Sequence, residues 1–145
     1  MKIKSKQNGF SLIEIVVVLA IMGLLAAIVG TNVIGVHYKG QVSKVRVDFN
    51  TIKSALKMYK LENGLYPSTA QGIAALVTKT EIDPVPRAFP KEGYLESMPK
   101  DPWNNEYKYF SPGENRPYDI VSYGADGVEG GEDEAVDLGV WDEGN

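Results

Sequence analysis

The chain has 145 residues, a net charge of −4 and no cysteine, which suits one domain with an appended helix and excludes a disulfide framework. Charge is unevenly spread: from Asp101 onward twelve Asp and Glu face only Lys108 and Arg116, a local balance of −10. So acidic a pole argues against nucleic-acid binding, which needs a basic footprint, and a single histidine, His37, cannot supply a catalytic dyad or a zinc site.

The first predicted element is an apolar helix. Lys2, Lys4 and Lys6 precede Phe10-Ser-Leu-Ile-Glu14, and the apolar residues continue to Val29. The lysines fix a cytoplasmic start, and the 20 residues from Phe10 to Val29 are enough to cross a hydrocarbon core as a helix. A secretory signal peptide would have a shorter apolar core and a small-residue cleavage site after it, and Leu25-Ala26-Ala27 imitates one. Glu14 sits badly with that reading and with a plain anchor, because a carboxylate at mid-bilayer costs roughly 2.5 kcal/mol or more. None of Phe10 to Val29 is Lys or Arg. Cutting between Gly9 and Phe10 would create the missing cation: an amine on Phe10, four residues before Glu14, able to pair with that carboxylate between staggered helices.

Gly9-Phe10-Ser11-Leu12-Ile13-Glu14 resembles the type III signal of type IV pilins and pseudopilins. The resemblance implies cleavage after Gly9 by a prepilin peptidase, methylation of the new N-terminal Phe10, and a role for Glu14 in recruiting subunits into a filament. Residues 1–9 are then a leader, 10–36 the membrane-spanning and filament-core half of the helix, and 37–145 a head.

Helical periodicity continues past the apolar run. Val42, Val45, Phe49, Ile52, Leu56 and Tyr59 recur at three- and four-residue steps, one continuous stripe, with lysines and Arg46 on other faces. Asn63-Gly64 and then Pro67 end the pattern. A helix from Phe10 to Glu62 would be roughly 80 Å long at 1.5 Å per residue. The stripe is read as core rather than as a binding site. Gly30-Thr31-Asn32 and Gly35 are poor helix formers, so the helix is expected to soften there in a filament. Relatives often carry proline where Thr31 stands.

In the head, Ser68 to Val77 reads as a short Ser- or Thr-capped helix, and the five prolines from Pro84 to Pro102 forbid long elements across Glu81 to Trp103. Tyr107–Phe110 and Tyr118–Ser122 are strand candidates with a Pro112-Gly113 turn between them. The expected fold is α+β: one long N-terminal helix packed on a small head with a short helix and an antiparallel sheet.

Leu61-Glu-Asn-Gly-Leu-Tyr-Pro67, Gln71-Gly72, Asp101-Pro102-Trp103 and Ser122-Tyr-Gly-Ala-Asp-Gly127 are similar to the major pseudopilins of type II secretion systems, so the fold expected is type IV pilin-like. Type IV pilins usually close this part of the head with a disulfide, which a cysteine-free chain cannot form. Acidic and glycine-rich, the segment from Asp126 to Glu134 is by composition alone a solvated loop. The resemblance instead implies a structural Ca²⁺, with side-chain oxygens from Asp126, Asp133 and Glu134 and backbone carbonyls of Tyr123 and Gly131. Calcium accepts such an irregular all-oxygen set, although the spacing is not that of an EF-hand.

The resemblance implies a non-enzymatic, self-assembling subunit of an inner-membrane machine. It would cross the membrane once with its head in the periplasm, and its partners would be copies of itself, minor pseudopilins, the assembly platform and the prepilin peptidase. A type IV pilus subunit, or a membrane-tethered calcium-binding domain that never polymerises, are the alternatives.

Overall fold

The computed structural model describes residues 10–114 and 116–141, the side chains at 27–36 and at 134 excepted. Helix α1 spans Leu12–Asn63, 52 residues. The chain divides into two units, one ending at Tyr38 and the other covering Lys39–Asn145, and each is described by itself.

In the first unit α1 begins on the carbonyl of Ser11, which accepts from the amides of Glu14 (3.0 Å) and Ile15 (3.3 Å). Its apolar side chains point every way: Leu12, Ile13, Ile15 and Val18, spread around the helix axis, are all about half exposed or more. An apolar surface of that extent on one chain requires a cover of lipid or of like helices. Among the described residues no helix is long and apolar enough to cross a membrane. The expected span runs to Val29, and the side chains from Ala27 onward lie outside the description. So do the side chains of Gly30-Thr31-Asn32, where softening is expected; their backbone belongs to α1.

The second unit holds the core. Val45, Phe49, Ile52, Leu56 and Tyr59 of the predicted stripe are all buried, with Ala55 between them. They pack with Ile73 and Leu76 from the region of helix α2 (Ala74–Val77), with Tyr109 and Ile120 of the sheet, and with Tyr107 and Val140 flanking it. Strands β1 (Lys108–Phe110), β2 (Asp119–Ser122) and β3 (Leu138–Gly139) lie in that order, antiparallel throughout. Tyr109 pairs with Ile120, and Val121 with Gly139. Two tyrosine hydroxyls anchor the sheet: Tyr107 donates to Asp48 of α1, and Tyr109 to the carbonyl of Pro67 at 2.8 Å. Burial raises the pKa of both, that of Tyr109 to about 12.

Two expectations need correction. The helix expected over Ser68–Val77 is only one turn, Ala74–Val77. Ser68 and Gln71 do make the reciprocal capping pair, amide to side chain in both directions. Gly72, at φ +62°, then breaks the turn before it can propagate. Gln71 is instead buried to hold the proline-rich loop, its amide donating to the carbonyls of Ile82 and Pro84. The third strand was not expected, because two residues carry no readable alternation.

Candidate functional site

Two places carry the expected chemistry. At the N-terminus Gly9 lies outside the described residues, while Phe10 is 80 % exposed and Glu14 is exposed in the first turn of α1. The helix N-terminus favours a carboxylate there. Among the described residues no cation comes within ion-pair reach of Glu14.

The acidic loop is built outward from Asp101. Asp101 is buried, and its carboxylate accepts from the amides of Trp103 (3.0 Å) and Asn105 (2.8 Å) and from the Ser122 hydroxyl (2.7 Å). Three donors on one anion explain why Asp, Pro and Trp stand together at 101–103: the aspartate folds the turn, and Trp103 packs against the core. Asn105 passes that order on. Its side-chain amide donates to the Gly124 carbonyl at 3.0 Å, and a Cβ on Gly127 would come within 3.1 Å of its oxygen. Gly124 and Gly127, both at positive φ, thus meet Asn105 on either side of Asp126.

Beyond this strut the loop closes on itself. The Asp126 carboxylate accepts from the Val128 amide at 3.1 Å. Gly131 is at φ +110°, where a Cβ would lie 2.9 Å from the carbonyl carbon of Ala135. Asp133, at φ +55°, opens a 3-10 turn over Asp133–Ala135. Asp137 holds the far side, one carboxylate oxygen accepting from the Gly130 amide at 2.9 Å and the other buried with no hydrogen-bond partner among the described residues. Tyr123 is half-buried with Lys108 over its ring. Burial first, then the charges of Glu129 and Asp137, push its hydroxyl pKa up.

Tyr123, Asp126, Gly131 and Asp133 therefore share one loop system, but among the described residues no three carboxylates or imidazoles converge as a cation site. The side chain of Glu134 lies outside the description. Reading the sequence missed Asp101, Asn105 and Asp137. The first sits in the Asp101-Pro102-Trp103 motif, whose resemblance assigns it no role, and Asp137 is one more carboxylate in an acidic run.

A single apolar N-terminal helix, a carboxylate near its start and a small helix-backed antiparallel sheet define a pilin-like subunit. Two family models agree. "Prokaryotic N-terminal methylation motif" matches residues 4–30, and "Type II secretion system (T2SS), protein G" matches residues 32–141. The chain is 48% identical over 139 residues to the type II secretion system core protein G of Pseudomonas aeruginosa, covering 96% of this chain and 98% of that one. With the core protein G of Vibrio cholerae the identity is 46% over 141 residues, 97% and 96% of the two chains. The crystal structure of the major pseudopilin from the type 2 secretion system of enterohaemorrhagic Escherichia coli superposes with a TM-score of 0.68 at 41% identity, over 76% of this chain and 94% of that one. The chain belongs to the type II secretion system protein G family, a family of structural subunits rather than enzymes.

Proposed function

We propose that this chain is the major structural subunit of a type II secretion pseudopilus. It would be inserted in the inner membrane as a single-pass precursor with its head in the periplasm, and be cut after Gly9 and methylated on Phe10 by a prepilin peptidase. It would then polymerise with copies of itself, alongside minor pseudopilins and an assembly platform, to move folded proteins outward. The observation that carries this reading is the N-terminal half of α1: it is apolar on every side and bears one carboxylate, four residues from Phe10, with no cation within ion-pair reach among the described residues. A lone charge of that kind is stable in an apolar bundle only beside an opposite charge. The amine freed on Phe10 of a neighbouring copy supplies one, and it fixes the depth at which each copy adds.

In cells deleted for their own core protein G, this chain should restore export of a folded enzyme and yield surface filaments on shearing. The mass of the filament subunit should correspond to a chain starting at methylated Phe10. Subunits retaining residues 1–9 within filaments would overturn the reading.

A structural Ca²⁺ in the acidic loop forms part of the proposal. Its donors would be hard oxygens, from Asp126, Asp133 and Glu134 and the backbone of Tyr123 and Gly131, which suits calcium better than a transition metal. The buried oxygen of Asp137 that has no hydrogen-bond partner among the described residues fits an ion in this loop, since buried carboxylate oxygens are otherwise hydrogen-bonded. Such an ion would tie the loop together where a disulfide cannot form. Thermal melting with calcium and then chelator tests this. Saturation at a hundred times Kd adds about 2.7 kcal/mol, and an unchanged midpoint would remove the ion from the proposal.

A further inference from the structure

Asn105 reaches the acidic loop from a point that is fixed twice. Its amide donates to the Asp101 carboxylate at 2.8 Å, and its carbonyl accepts from the Asp101 amide at 2.9 Å. Asp101 is buried, so the turn closed by these two bonds belongs to the core rather than to solvent. From there the side chain enters the loop. Its Nδ2 donates to the Gly124 carbonyl at 3.0 Å. A Cβ on Gly127 would lie 3.1, 3.2 and 3.3 Å from Oδ1, Cγ and Nδ2, so the backbone of Gly127 rests against the whole amide group. Gly124 at φ +60° and Gly127 at φ +68° turn the chain around it. Asp126 stands between these two contacts, and the Tyr123 carbonyl belongs to the peptide that joins Tyr123 to Gly124. Of the donors proposed for Ca²⁺, the Asp126 carboxylate and the Tyr123 carbonyl thus lie on the segment that this one side chain holds.

We propose that Asn105 is the positioning residue of this site: it sets where Asp126 and the Tyr123 carbonyl stand before an ion arrives. The inference rests on the calcium reading above and adds to it a residue nineteen positions from Gly124 in the chain. Calcium is held by several oxygens at once, so its affinity depends on how many of them are in place before binding. Without the strut, Gly124-Ala-Asp-Gly127 is a segment with glycine at both ends, and ordering its backbone would draw on the free energy of binding. Residues that orient a metal's ligands without holding the metal typically change affinity about ten- to a hundredfold when replaced. Asparagine is the side chain the place requires. A donor must face the Gly124 carbonyl, and a planar amide is thin enough to lie against Gly127. Aspartate has the same shape but would turn an oxygen towards that carbonyl.

The test is the Ca²⁺ affinity of the detergent-solubilised full chain, titrated by calorimetry after treatment with chelator and well below the unfolding temperature. Asn105→Asp should weaken binding about tenfold or more, although it adds a negative charge that by attraction alone would tighten it. Asn104→Asp places the same charge on the exposed neighbouring residue, and its affinity should equal or exceed the parent's. Asn105→Ala keeps both backbone bonds to Asp101, should also weaken binding, and carries the test should Asn105→Asp fail to fold. Gly127→Ala should cost less affinity in the Asn105→Ala background than in the parent, because its clash partner is then gone. Leu56→Ala lowers the stability of the same unit from the core and should leave the affinity unchanged. Asn105→Asp binding as tightly as the parent, or Leu56→Ala weakening binding as much as Asn105→Ala, would overturn the positioning role and leave the calcium site standing. A parent chain that binds no Ca²⁺ would instead remove the ion, and this role with it.

Discussion

Replacing Asp101 with alanine removes an acceptor shared by three donors: the amides of Trp103 and Asn105 and the hydroxyl of Ser122. Ser122 is fully buried at 0 % exposure, so water cannot reach its stranded hydroxyl. Hydrogen bonds to an ionised acceptor contribute about 1.5–3 kcal/mol each, and a stranded buried donor costs about 1–3 kcal/mol. Allowing for partial rehydration of the two loop amides, Asp101→Ala should cost about 3–5 kcal/mol, a large share of the 5–15 kcal/mol by which a typical domain is stable. Ser122→Ala removes one donor and leaves the anion two, so it should cost less, about 1.5–3 kcal/mol. Both tryptophans, Trp103 and Trp141, lie in the second unit. Their fluorescence during urea unfolding of the detergent-solubilised chain therefore reports on that unit alone. A cost below about 1 kcal/mol for Asp101→Ala, or equal costs for the two variants, would refute the view that this carboxylate organises the turn.

Other expectations follow from the same structure. Leu56, at 0 % exposure between α1 and the sheet, should lose about 2–5 kcal/mol on Leu56→Ala in the same unfolding assay. Tyr109 has a folded pKa raised to about 12 from 10.0, so its contribution is complete below pH 10 and disappears as pH climbs towards 12. Tyr109→Phe should flatten that part of the alkaline unfolding curve. Gly130 and Gly131 both sit at positive φ, but Gly131→Ala adds a clash against Ala135, whereas Gly130→Ala meets nothing within 4 Å. The calcium-dependent rise in Tm should therefore fall more for Gly131→Ala than for Gly130→Ala.

The fold was legible wherever burial follows a period. The stripe from Val45 to Tyr59 announced the core face of α1 because each of its residues is buried at helical spacing. The strands around Tyr109 and Ile120 showed their β-branched and aromatic content. What escaped depends on long-range partners. Gln71 looked like part of a helix, yet its side chain is consumed by carbonyls eleven and thirteen residues on. Leu138–Gly139 is a strand only because Val121 and Ser122 lie beside it. At the candidate site the acidic run was plain, but its supports were not: Asn105 reaches Gly124 across nineteen residues, and no local pattern encodes that contact. The N-terminal signal was the opposite case, local enough for Phe10 and Glu14 to be read directly from the chain.

The most direct test of the central claim is the filament yield of Glu14→Val, scored by electron microscopy of sheared material alongside the amount of processed subunit left in the membrane. The account predicts that the variant is inserted and cut after Gly9 like the parent, yet gives no filaments, because a neighbour's Phe10 amine then has no carboxylate to meet. Filaments of normal length and number from Glu14→Val would contradict it.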